Sequence, residues 1–207
     1  MSHHILRTHL VGITLVWLAG LLVTGYAPFD RGTWLLEVFP VIVALPLLWF
    51  TQQRFPLTAM LYWIVCLHGL VLMLGGMYTY ARVPLGFEIQ AWFGLDRNPY
   101  DKIGHFMQGF APALVAREIL LRGRYVNGSG MLRFIVVSIV MFISSFYELI
   151  EWWTALLLGQ GATDFLGTQG YEWDTQSDMF YALIGAVVAM LVMTRWQDRQ
   201  IQTLHKP

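Results

Sequence analysis

The chain has 207 residues, 57% of them hydrophobic and only 13% charged, with a mean hydropathy of +0.54. That is more apolar surface than one soluble core can bury, so the composition excludes an ordinary soluble globule and indicates an all-α integral membrane protein. Thirteen basic residues balance thirteen acidic ones, so no net field points to nucleic acid or to an acidic partner.

Crossing a hydrocarbon core of roughly 30 Å takes about 20 apolar residues in a helix. On that measure the chain divides into six spans in one integral membrane domain covering 1–207. They lie near Leu10 to Tyr26, Thr33 to Phe50, Leu57 to Tyr80, Asp101 to Leu121, Leu132 to Leu158, and Asp174 to Trp196. Arg7 precedes the first apolar run, as in a signal peptide. No small-residue cleavage site follows before Pro28, which favours an uncleaved span. Pro40 and Pro46 fall in the second, where a kink or a break is expected. Cys66 lies in the third and has no second cysteine to pair with, so it reads as a buried core thiol. His68, in the same span, reads first as an imidazole bonded to a neighbouring helix, with an extension of a polar site as the alternative.

Orientation follows from the Lys and Arg residues. With the N-terminus inside, Arg7, Arg54, Arg117, Arg122, Arg124, Arg133, Arg195, Arg199 and Lys206 fall on the cytoplasmic side, against Arg31, Arg82, Arg97 and Lys102 outside. This predicts that both termini are cytoplasmic. The connection from Ala81 to Tyr100 carries Phe87, Trp92, Phe93 and Leu95 among polar residues, which suits a segment at headgroup level. The connection from Gly159 to Trp173 has no Lys or Arg and is the surest external segment. Asn127-Gly128-Ser129 matches a glycosylation sequon, but its basic flanks place it inside, where Asn-Gly is a turn. His3, His4 and His9 near the N-terminus read as solvated.

Ionisable groups are concentrated in the last three spans. Asp101 and His105 are four apart and Gln108 three further on, so one face of the fourth span carries all three. Glu148 and Glu151 share a face of the fifth, and Asp174 and Asp178 a face of the sixth. At about 1.5 Å per residue, His105 lies roughly 6 Å below the outer end of its helix, Glu151 about 10 Å and Glu148 about 15 Å below theirs. The groups are therefore expected to converge in the outer half of the membrane.

Charged groups in lipid are costly and mark functional sites by default. Neighbouring carboxylates cannot all ionise unless a cation or shared protons relieve them. A divalent metal ion held by Asp101, His105, Glu148, Glu151, Asp174 and Asp178 answers that need, although the Glu-x-x-His spacing of helical-bundle carboxylate sites is absent. The alternatives are a proton or ion path, and hydrogen bonds that tie helices together, with Asp101 and Asp174 serving as helix caps.

The segments Asp101-Lys102-Ile103-Gly104-His105-Phe106, Phe146-Tyr147-Glu148-Leu149-Ile150-Glu151-Trp152 and Asp174-Thr175-Gln176-Ser177-Asp178 resemble those of the YjdF-like bacterial inner membrane proteins, along essentially the whole chain. More distantly, the last three spans resemble VanZ-like membrane proteins. The resemblance implies a polytopic inner-membrane protein and assigns no reaction.

Three functions remain open to the sequence. The first is an enzyme acting on a lipid-linked or cell-envelope substrate, with His105, Glu148 and Glu151 as its catalytic groups. The second is a non-catalytic membrane protein that binds or assists such a ligand. The third is a proton-coupled carrier, disfavoured because inward of Glu148 the fifth span offers only Ser138, Ser144 and Ser145, and the sixth offers nothing ionisable before Arg195. Phosphate-loop, serine-hydrolase and His-Glu-x-x-His metalloprotease motifs are all absent. Gly185, Ala186 and Ala189 in the sixth span suit close helix packing.

Overall fold

A computed structural model describes residues 3–158 and 169–204, and the described chain is helical throughout. In chain order the helices are α1 (His3–Tyr26), α2 (Arg31–Thr51), α3 (Ala59–Tyr78), α4 (Pro84–Phe93), α5 (Tyr100–Arg122), α6 (Ser129–Leu158), α7 (Asp174–Val192) and α8 (Thr194–Leu204). Most of the expected external connection from Gly159 to Trp173 lies outside the described residues, as does Lys206.

Five helices, α1, α2, α3, α6 and α7, are long and apolar enough to cross a membrane. The fourth expected span, α5, has the length but a mixed surface. It is packed by α3, α6 and α7, so its polar residues meet protein rather than lipid. Side-chain contacts fix the directions. The start of α3 meets the end of α5 through Thr58 and Glu118, whereas Tyr80, just past α3, packs beside Gly104 near the start of α5. Helices α3 and α5 are therefore antiparallel. The His105–Asp178 and Arg117–Gln197 contacts run α7 parallel to α5.

The closest approach is between α5 and α7. A Cβ on Gly109 would collide with the backbone of Ala182, and one on Gly185 with the carbonyl of Phe106. With Ala182, Ala186 and Ala189 fully buried, this is packing through small residues, as expected of helices that have no hydrophobic driving force between them in lipid. Trp17 of α1 lies against Gly69, and its indole N–H donates to the carbonyl of Cys66 at 3.1 Å. Cys66 is buried and free.

Some expectations hold and others need adjustment. Helix α2 is unbroken through Pro40 and Pro46, because α1 and α3 flank it and supply packing where the prolines remove ladder bonds. The Ala81–Tyr100 connection contains a helix, α4, opened by Pro84 and closed by Gly94 at φ 61°. It leaves Phe87, Trp92 and Phe93 exposed, as an interfacial segment would. The sixth span ends at Val192, and the chain continues as the separate amphipathic helix α8. Asn127-Gly128 is a turn, with Gly128 at φ 87°. His9 is not simply solvated, since it accepts a hydrogen bond from Trp63 at 3.1 Å.

Candidate functional site

Near one end of the bundle, α5, α6 and α7 bring five of the six sequence-picked residues together. His105 Nε2 stands 3.4 Å from Asp101 Oδ1 and 3.8 Å from Asp178 Oδ2. Asp101, His105 and Asp178 each offer a ligand atom within 4.8 Å of the others, and so do His105, Glu148 and Glu151. His105 is common to both groups. The i, i+4 spacing places Asp101 and His105 on one face of α5, and the tight Gly109 and Gly185 contacts pull α7 close enough for Asp178 to reach them.

Asp174 is placed differently. Its Oδ1 accepts a hydrogen bond from Arg97 Nη1 at 2.6 Å, and it belongs to neither group of ligand atoms. Arg97 comes from the segment between α4 and α5, where its guanidinium also lies over the Tyr171 ring at 4.4 Å. Asp101, Asp178, Glu148 and Glu151 have no Lys or Arg in ion-pair contact among the described residues.

Gln108 decides how the imidazole presents itself. Its Oε1 lies 3.3 Å from His105 Nδ1; with a proton on Nδ1, Gln108 would accept it and Nε2, the nitrogen facing Asp101 and Asp178, would be left as a donor atom for a ligand. Asp178 Oδ1, Glu148 Oε1 and Asp101 Oδ2 are buried without a hydrogen-bond partner. Asp178 and Glu148 are only 3% and 8% exposed as residues, where an unmatched polar atom costs about 1–3 kcal/mol. One proton on Nε2 would neutralise a single carboxylate and leave the others facing one another.

The cluster borders a cavity of about 190 Å³, whose walls include Asp101, His105, Gln108 and Glu151 on one side and Pro40, Leu72, Pro112 and Ile143 elsewhere. Two further walls escaped the sequence reading. Glu37 of α2 is 4% exposed and accepts a hydrogen bond from Tyr147 of α6 at 3.3 Å, and Tyr80 lines the same space. Glu37 is the one acidic residue inside its apolar span, a signal that was available. Tyr147 and Tyr80 gave none, since a tyrosine in or at the end of an apolar span is ordinary. His68 also lines the cavity, and its Nε2 is buried without a partner.

Fold and site together define a multi-pass membrane protein with a histidine–carboxylate cluster enclosed by its helices. The chain belongs to the family described as "Predicted membrane protein (DUF2238)", whose model matches residues 9–199. It is 56% identical over 198 residues to the Inner membrane protein YjdF of Escherichia coli (strain K12), covering 96% of this chain and 93% of that one. No solved structure matches.

Proposed function

We propose that His105 with Asp101, Asp178, Glu148 and Glu151 holds a divalent metal ion, and that this centre acts on a lipid-linked or cell-envelope substrate at the external side of the bacterial inner membrane. The reading rests on one observation: lone-pair donors converge from three helices, with Asp178 Oδ1 and Glu148 Oε1 buried and unpartnered. Mixed imidazole and carboxylate donors suit zinc, manganese or iron. When bound, such an ion supplies Lewis-acid polarisation and acidifies a coordinated water.

The chain's own groups divide the remaining work. Gln108 orients the imidazole, and Arg97 holds Asp174 at the rim. Whichever of Glu148 and Glu151 is not engaged by the metal is within reach to accept a proton. Glu37, held by Tyr147, presents a second carboxyl from the opposite wall. Leu72, Pro40, Pro112 and Ile143 limit water in the cavity.

The orientation has support of its own. Helix α8 packs on the start of α3 through Gln200 and the backbone N–H of Met60, and α1 runs parallel to α3, with Gly12 against Trp63 and Gly20 against Met73. The N-terminal helix therefore starts at the end where the C-terminal helix lies. Arg54, Arg117, Arg122 and Arg124 gather at that end, which favours the cytoplasm for it.

Metal analysis of the detergent-purified full chain tests the reading. A bound divalent ion is expected, with its content strongly reduced in His105→Ala and Glu148→Gln. Gln108→Ala, which removes only the outer-shell partner, should weaken binding by about 10–100-fold. A native protein that carries no metal, and gains no thermal stability on addition of zinc, manganese or magnesium, would end the proposal.

A further inference from the structure

A second hollow of about 390 Å³ adjoins the carboxylate cavity, and the two share His68, Pro112 and Ile143 as lining. Ala111, Val115, Ala116 and Ile119 of α5 form its floor, with Ile139 of α6 and Val65 of α3 at its sides. His68 is its one polar lining residue, and it sits at the junction with the carboxylate cavity.

The hollow has a structural cause. Among the described residues helices α3 and α6 each pack extensively on α5 and have little or no contact with each other, so a hollow is left over the small residues Ala111 and Ala116. At the carboxylate end, the Tyr147–Glu37 hydrogen bond links α6 to α2 across this side of the bundle. The apolar lining reaches the surface at Ile119, which is exposed.

We infer that the α3–α5–α6 groove binds the hydrocarbon chain of a membrane lipid whose polar head occupies the His105 cavity. This rests on the metal-site reading for the head and specifies its substrate class as an amphiphile that enters from the bilayer. From Ala111 to Leu120 the floor runs about 14 Å at helical rise, close to one leaflet of a hydrocarbon core roughly 30 Å thick. A carboxylate- and histidine-lined cavity beside an apolar trough, with His68, Pro112 and Ile143 common to both, matches a molecule with a polar head and an alkyl tail. Ordinary annular lipid would touch the exposed faces of α1 and α2 equally.

The test uses the full chain in nanodiscs containing phosphatidylglycerol with a diazirine near the middle of one acyl chain. After photolysis, labelled peptides are expected to map to residues 111–120 and 135–143, in preference to the exposed face of α1. Ala116→Phe and Ile139→Trp, which fill the groove, should lower that labelling by about tenfold, since displacing two methylenes already costs that much affinity. Leu15→Trp, on the lipid-facing side of α1, should not. Label spread evenly over all exposed apolar helix faces would overturn the groove, whether or not the filled variants fold. Metal content measured on the same samples separates the two ideas. Groove labelling that survives a chelator in a protein without metal would refute the metal centre and leave the lipid groove standing. Metal with evenly spread label would do the reverse.

Discussion

Helix α5 carries buried charge at both ends, and the two ends are built on opposite terms. At its C-terminal end Glu118 is 0% exposed, yet both of its oxygens are engaged. Oε1 accepts from the Thr58 N–H at 2.9 Å and from Arg122 at 2.8 Å, and Oε2 accepts from the Thr58 hydroxyl at 2.8 Å. Arg117 adds Gln197 at 2.8 Å and Asp198 at 2.7 Å, and Gln197 donates to the carbonyl of Leu114. At the N-terminal end, Asp101, Asp178 and Glu148 each keep a buried oxygen without a partner. A buried carboxylate supplied with its own cation is a fastener between helices. One gathered with other carboxylates around a single histidine, with no Lys or Arg beside it among the described residues, is relieved only by shared protons or by a bound cation.

The largest effect that could break this contrast belongs to the fastener. Glu118→Ala leaves the Thr58 N–H and hydroxyl without their acceptor, and Arg122 with only the Pro56 carbonyl and the Phe55 ring; it should cost about 3–5 kcal/mol in unfolding measured in detergent. A loss under about 1 kcal/mol would show that the two ends are not different in kind.

Next comes the contact that brings the open cluster together. Gly185→Leu drives a side chain into the Phe106 carbonyl and the Phe110 amide, and should cost about 1–3 kcal/mol. Moving α7 off α5 also takes Asp178 away from His105, so metal content should fall along with stability.

A solvated carboxylate provides the reference between the two ends. Asp30 Oδ1 accepts from the Thr33 N–H at 2.7 Å and caps α2; Asp30→Ala should cost about 1 kcal/mol. That backbone hydrogen bond holds the Asp30 carboxyl below its ordinary value of 3.8. Its contribution is therefore complete above that value and disappears as pH falls through the lowered one. A wild-type minus Asp30→Ala difference that grew toward low pH would contradict this sign. Solvent screening keeps the effect small.

The smallest expected effect sharpens the contrast most. In metal-free protein, Glu151→Gln removes one of several carboxylates that repel one another, so stability should stay within about 1 kcal/mol of wild type or rise. The same change should reduce stabilisation by added metal. A loss as large as that of Glu118→Ala would make Glu151 a second fastener.

Particular residues show how far the sequence could be read. Asp101, His105 and Gln108 were assignable to one helix face because 3.6-residue periodicity is local. Their convergence with Glu148, Glu151 and Asp178 followed from depth along antiparallel helices. The partner of Asp174 did not, because Arg97 lies in a connection whose path no periodicity specifies. Nor did Glu37 with Tyr147, 110 residues apart, or Glu118 with Thr58 and Gln197. Such pairs depend on which helices become neighbours.

Composition and hydropathy alone determined that this is a polytopic helical membrane protein, because lipid leaves a backbone few other ways to satisfy its polar groups. Spacing alone determined which charged side chains share a helical face. Only the tertiary structure decided which charges are matched and which are left open, and that α3 and α6 leave a trough between them. Partnership between helices is set by the shape of small-residue contacts such as Gly109 against Ala182, and shape complementarity is a property of two surfaces that no single stretch of sequence contains.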